Sequence, residues 1–380
     1  MAGPLGLSDE QQALLDLVRE IGRREIAPRA DEWERASEFP RPAFDALGKA
    51  GLLGLAYPEE FGGGAQPNWM YLLVLEELSA SLLSVGLGTS VQTLTIFPAH
   101  AYGTPEQKSR WMPPACAGEW IGGYCLSEPG SGSDAAAMTT KAERDGDSWV
   151  ISGRKAFVTH GGEADYYVVF ARTGEGSSGI SCIFVPGDTP GVEREKLENK
   201  MGMRSSPTAA MVFDGARVPA DHLIGDLGAG FRIAMQALDG GRLGIAACSV
   251  GLARAALDAA VSFAREREAF RKPIIEFQGV SFMLADMATQ IEAARALTQE
   301  AARRRDSGEP FSKHAAMAKL FASDTAMRVT TDAVQVHGGY GYVEEFPVER
   351  YMREAKVLQI VEGTNQIQRL VIGRALGRGD

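Results

Sequence analysis

Apolar residues recur at helical spacing near the start of the chain, where Leu14, Leu15, Val18 and Ile21 share one face. Ser8 stands just before this face and Gln11 three residues later, a pair that satisfies amide donors at a helix start. Pro40-Arg41-Pro42 and the run Pro58-Glu59-Glu60-Phe61-Gly62-Gly63-Gly64 break the pattern. Helical spacing returns from Trp69 to Leu87 and again after Pro105.

From about Tyr124 the period shortens. Thr139 to Arg144, Trp149 to Ser152, Ala156 to Thr159, Tyr166 to Ala171, Ile180 to Val185 and Ala209 to Phe213 are short β-rich runs. Asp145-Gly146-Asp147, Gly161-Gly162 and Thr173-Gly174-Glu175-Gly176 supply turns between them. No helix-length pattern separates the runs, which predicts an antiparallel β-barrel or sandwich rather than a parallel sheet. Beyond Gly228-Ala229-Gly230, four long helical stretches follow: Phe231 to Glu266, Ile275 to Arg305, Phe311 to Val336 and Pro347 to Ala375. Alanine-rich faces among them suit a four-helix bundle. The expected architecture is an α+β multidomain chain, with an N-terminal helical domain (1–122), a middle β domain (123–228) and a C-terminal helical bundle (229–380).

Composition narrows the function classes. The chain is 45% hydrophobic, enough for a sizeable core, which excludes a disordered protein. Its net charge of -10 argues against a general nucleic-acid binder but leaves room for an anionic ligand held by a few local cations. Cys116, Cys125, Cys182 and Cys248 lie far apart and read as buried thiols in a reducing compartment, not as a disulfide framework or a metal site. The N-terminal stretch carries acidic residues where a signal peptide would be basic, and no apolar run approaches the ~18–20 residues of a membrane span. A soluble, cytoplasmic protein with no membrane or nucleic-acid partner is expected.

The candidate chemistry begins at Tyr124-Cys125-Leu126-Ser127-Glu128-Pro129-Gly130-Ser131-Gly132-Ser133-Asp134. Alternating Gly and Ser let backbone N–H groups approach a phosphate, with hydroxyls as further donors. With Ala135 the loop matches the dinucleotide fingerprint, yet a hairpin follows it where that fingerprint needs a helix. On its own the loop reads more readily as a flexible surface turn than as a ligand site. Phe157-Val158-Thr159-His160-Gly161-Gly162, Arg267-Glu268-Ala269-Phe270, Phe277-Gln278, Gln335-Val336-His337-Gly338-Gly339 and Val361-Glu362-Gly363-Thr364-Asn365-Gln366 come after it in that order. Together these segments resemble the acyl-CoA dehydrogenase family of flavoproteins, over almost the whole chain and closest to its short-chain and branched-chain members.

The resemblance implies an FAD site. Tyr124, Leu126, Ser127, Gly132 and Ser133 would lie along the flavin and its pyrophosphate, with Phe157, Val158 and Thr159 at the ring. Arg267, Phe270, Phe277, Gln278, Gln335, Val336, Gly338 and Gly339 would complete the site from a neighbouring subunit of a homotetramer or dimer. Thr364 and Gln366 would sit against the dinucleotide near its base. Glu362 would be the catalytic base, removing the α proton of an acyl thioester. Ser133, Asp239, Arg242, Glu362 and Gly363 would hold the substrate. Some family members place the base at the position of Gly241, which here has no side chain. Electrons would pass to an electron-transferring flavoprotein, and the acyl group would be short or branched.

The chain departs from the family pattern at Phe157, often Trp, and at Val361, commonly Tyr. Arg271 stands for a common Gly, and Ala269 for a common Gln or Thr. Other readings of the same residues are a solvated helix start for Glu362, a surface ion pair for Arg242 and metal ligation by His160 or His337, which lacks paired ligands. Rival functions are an oxidase or an acyl-carrier-protein-linked dehydrogenase on the same fold, a nitroalkane-oxidising relative, and a non-catalytic flavin or acyl-CoA scaffold.

Overall fold

The computed structural model describes residues 7–379. Ser8 Oγ accepts from the Gln11 amide and the Gln11 side chain accepts from the Ser8 amide, so the expected capping box opens helix α1 (Asp9–Ile21). A π turn, α2 (Ala30–Ala36) and α3 (Arg41–Lys49) follow, and Pro58 to Gly64 form the expected break. α4 (Asn68–Ser81), α5 (Leu83–Tyr102) and α6 (Pro105–Cys116) complete the N-terminal domain. The continuous helix expected from Trp69 to Leu87 is in fact two, divided by extended backbone at Leu82 (φ -160°, ψ 120°). Most of α4 and α5 is buried on every side, so neither carries the polar face that marks a helix boundary in a sequence.

The middle domain is a mixed sheet in place of the expected antiparallel barrel or sandwich. Its strands are β1 (Gly122–Cys125), β2 (Lys141–Asp145), β3 (Ser148–Thr159), β4 (Tyr166–Arg172), β5 (Ile180–Pro186), β6 (Val192–Leu197), β7 (Thr208–Pro219) and β8 (Leu223–Ile224). The order β6-β7-β3-β2-β4-β5-β8 stays open at both ends. β1 and β2 lie end to end along one edge of β4 and both run parallel to it, β1 at Tyr166 to Val169 and β2 at Arg172. The glycine- and serine-rich loop therefore sits where that edge is interrupted, which frees its backbone from the ladder. β3 reads as two runs in the sequence because register shifts against β7 at Ile151/Gly153 and Lys155/Val158 break its alternation.

α7 (Gly230–Glu266) is one 37-residue helix that packs against α4, α5, α8 (Gln278–Asp306) and α9 (Ser312–His337). Contrary to the sequence reading, α7 is long and apolar enough to cross a membrane. Most of its apolar stretch is buried against the other helices, so its hydropathy is that of a core helix. The fourth expected bundle helix is broken into α10 (Val348–Leu358) and α11 (Asn365–Arg378). The turn between them carries Glu362.

Candidate active site

Glu362 lies in left-handed backbone (φ 53°), followed by Gly363 at φ 92°. That geometry is uncommon for a residue with a side chain. It swings the carboxylate towards α7, where both oxygens are buried without a hydrogen-bond partner. The carboxylate faces Gly241: a Cβ on that glycine would lie 1.8 Å from Glu362 Oε2. Burial pushes its pKa up to about 7, while the charges of Lys319 and Arg242 pull the other way. Tyr71 on α4, Tyr124 on β1 and Cys248 on α7 are close enough to feel its charge.

Next to Gly241 on α7, Arg242 is nearly fully buried and pairs with Asp239, which also accepts from Ser312 Oγ (2.9 Å). Arg242 Nε is buried without an acceptor. The pair is therefore internal rather than a helix-surface bridge. Gly363 adjoins the carboxylate, and Thr364 caps α11 by accepting from the Ile367 amide (3.3 Å). Gln366, two residues on, is exposed.

The loop after β1 is pinned to β3. The Ala156 amide donates to the Ser127 carbonyl (2.9 Å), and Lys155 Nζ donates to the Leu126 carbonyl (3.2 Å) and Glu128 Oε1 (2.9 Å). Glu128 in turn accepts from the Thr139 and Thr140 amides (2.7 and 2.9 Å). Tyr124 reaches α7 through a 3.5 Å bond to the Ala234 carbonyl, while Gly132 and Ser133 are exposed. Phe157 occupies the β3 register shift with φ 55° and is 69% exposed, flanked by buried Val158 and half-buried Thr159. His160 is buried against Phe39 and Phe44 with Nδ1 on the Gly122 carbonyl (2.9 Å).

The remaining predicted residues gather elsewhere. Arg267 follows α7 directly, and its guanidinium lies over the Tyr340 ring. A two-residue hairpin holds Phe270 at its tip, 91% exposed, with Phe277 against it edge-on and Gln278 opening α8. Gln335, Val336, Gly338 and Gly339 end α9 at the same place, tied in by His337 stacked on Phe263 (4.4 Å). From Gly241 to Arg267 the chain advances 26 residues, about 39 Å at the helical rise. Arg267 and its neighbours thus form a second cluster, well separated along α7 from the one around Glu362.

Three family models match the chain, acyl-CoA dehydrogenase N-terminal, middle and C-terminal domains, at residues 8–119, 123–216 and 228–377. The chain belongs to the acyl-CoA dehydrogenase family. It is 45% identical over 369 residues to the mitochondrial short-chain specific acyl-CoA dehydrogenase of Bos taurus, covering 96% of this chain and 90% of that one. The structure of butyryl-CoA dehydrogenase from Megasphaera elsdenii superposes with a TM-score of 0.96 at 42% identity, covering 98% and 99% of the two chains. A chain in a structure described as an electron transferring flavoprotein of Acidaminococcus fermentans superposes with a TM-score of 0.96 at 46% identity, covering 98% and 99%.

As an acyl-CoA dehydrogenase the protein is an oxidoreductase, and the family's cofactor is FAD. The loop fits that group. A Cβ on Gly130 or Gly132 would meet nothing within 4 Å, and neither glycine is among those with positive φ. The chain itself does not require glycine there, whereas a dinucleotide laid against the backbone does. Gly339 is equally open in the second cluster. Sequence reasoning missed Lys155, Glu128 and Lys319. The available cue for Lys319 was a lone cation between buried Ala315 and Ala322 on one face of α9.

Proposed function

We propose that this enzyme oxidises a short acyl-CoA thioester between its α and β carbons, with Glu362 as the proton acceptor. The observation that carries the reading is the Glu362 carboxylate, buried, unpartnered and facing a position without a side chain. Bound FAD supplies the acceptor for the hydride that leaves Cβ, so loss of the α proton and of that hydride leaves a Cα–Cβ double bond. A Glu362 oxygen takes the α proton, and the absent Gly241 side chain leaves room for the carboxylate itself. Raised affinity for a proton makes Glu362 a better base than a solvated glutamate. Asp239, Arg242, Gly363 and Ser133 would hold the thioester and its carrier. The loop from Tyr124 to Ser133, with Phe157, Val158 and Thr159, would hold the flavin, Thr159 and Ser127 giving hydroxyl contacts.

The second cluster supports a shared site. Arg267, Phe270, Phe277, Gln278 and Gln335 to Gly339 lie too far along α7 to serve the Glu362 of their own chain. A second copy would bring them to it, in a dimer or tetramer. A short acyl group is supported by the names of the relatives and by close packing between α5 and α7, where a Cβ on Gly244 would lie 2.1 Å from Ser90 Oγ. Tyr71 fills space near Glu362, with its hydroxyl on Thr93 Oγ1 (2.8 Å). The similarity to the Acidaminococcus fermentans chain supports an electron-transferring flavoprotein as the next carrier.

Anaerobic mixing of Glu362→Gln with butyryl-CoA tests the base. The variant should bind FAD and the thioester yet fail to bleach the flavin; bleaching at the wild-type rate would end the proposal. A chain-length series tests the acyl group, and higher catalytic efficiency on long chains would reject a short one.

A further inference from the structure

The turn that carries Glu362 is held from one side by α9. Lys319, fully buried, donates from Nζ to the Gly363 carbonyl (2.9 Å) and to Asn365 Oδ1 (2.9 Å). Further along α9, Ser323 Oγ and Asp324 Oδ1 accept from Asn365 Nδ2 at 3.0 and 2.7 Å, and Asp324 Oδ1 also accepts from Gln359 Nε2 (2.7 Å). Gln368 Nε2 adds a second donor to the Gly363 carbonyl (2.8 Å). The turn is therefore tied at its start, its middle and its end, and its left-handed residues are over-determined in the way a strained conformation requires.

Holding a carbonyl and an amide does not call for a charge. Both acceptors of Lys319 are uncharged oxygens, and a neutral donor would serve them. An ammonium removed from water is costly unless an anion compensates it. The acidic groups that act on Lys319 are Glu362 first and Asp324 second, and Lys319 is the larger of the two cationic influences on Glu362.

We propose that Lys319 is the positioning residue for Glu362: its buried ammonium fixes the turn that aims the carboxylate at α7 and supplies the positive charge that keeps it ionised and able to accept a proton. The inference rests on the reading of Glu362 as base. The groups that face Glu362 are Lys319 from α9, Arg242 and Cys248 from α7, Tyr71 from α4 and Tyr124 from β1. Burial raises the pKa of the thiol and of both phenols, so they stay neutral at neutral pH. Arg242 is already paired with Asp239. Burial lowers Lys319 to about 8, so it remains charged at pH values where Glu362 titrates.

The test uses the FAD-loaded protein and two variants, Lys319→Gln, which keeps an N–H donor without the charge, and Lys319→Met, which keeps neither. Anaerobic flavin bleaching by butyryl-CoA is followed across neutral pH. Exchange of the substrate α hydrogen with D₂O on dithionite-reduced protein is read in parallel by mass spectrometry. Both variants should shift the acid limb of the bleaching profile to higher pH by about one unit, a loss of roughly tenfold near pH ~6, with exchange falling alongside. Lys319→Met should also lower the plateau, because the turn loosens. If Lys319→Met fails to fold, Lys319→Gln decides. A Lys319→Gln protein with full FAD content, a wild-type limb and wild-type exchange overturns the inference. Glu362→Gln run beside it separates the two ideas: bleaching by that variant removes the base reading itself, whereas a silent Glu362→Gln with an unaltered Lys319→Gln removes only the role of Lys319.

Discussion

Glu362 Oε2 occupies the space that a Cβ on Gly241 would need, 1.8 Å from where that carbon would stand. Two positions far apart in the sequence converge there, one supplying the acid and the other its room. Gly241→Ala should push the carboxylate aside while leaving α7 helical. A displacement of about 1 Å can cost about 100-fold, so turnover should fall by that order with FAD retained. Stopped-flow bleaching and the visible flavin spectrum check both halves.

The pKa of Glu362 is raised from 4.5 to about 7, first by burial, so its ionised and active form is present above neutrality and lost below it. The rate of flavin reduction should rise with pH through about 7. An acid limb centred near the unperturbed value would place the base elsewhere. The sign for stability is opposite to that of an ordinary ion-paired acid. The folded state binds the Glu362 proton more tightly than the unfolded state, so this group contributes less to stability as pH rises from 4.5 towards 7.

The three-part organisation was legible because helical and alternating periods differ sharply. The open mixed sheet was not, since the parallel placement of β1 and β2 on β4 depends on a crossing through the glycine- and serine-rich loop that no local pattern encodes. The motifs around Glu362 single it out as a candidate in the sequence, but its left-handed backbone and its contact with Gly241 are not legible there. Lys155 and Lys319 escaped notice for a common reason. Lysine ordinarily lies on the surface, and only tertiary partners such as Glu128 and the Gly363 carbonyl make burial tolerable.

The Lys155–Glu128 pair has both side chains almost wholly out of solvent. Lys155→Met leaves the carboxylate buried without its cation, which typically costs about 3–5 kcal/mol. Because the same lysine holds the Leu126 carbonyl, FAD should also be released more readily. Thermal melts and the fraction of FAD retained on a desalting column measure the two effects. Burial acts to raise the Glu128 pKa, but Lys155 and the Thr139 and Thr140 donors outweigh it and hold the value down at about 2. The stability this adds is complete above 4.5 and is lost as pH falls from there towards 2.

A site shared between copies predicts complementation. Arg267→Ala should lose FAD or weaken assembly, and Glu362→Gln should hold FAD without turnover. Co-expressed in one cell, the two inactive chains should regain activity, since some sites then combine an intact Glu362 with an intact Arg267. Absence of recovery in verified mixed oligomers would place the whole site within one chain.

The unbroken course of α7 imposes a rule on sequence change. Its stretch between Gly241 and Arg267 acts as both ruler and dial. One inserted residue would lengthen it by about 1.5 Å and turn its far end by about 100°. In a site shared between copies, such an insertion would swing the arginine away from its mark even if every side chain were kept, so drift in the length of this rod would be admissible only in near-whole turns.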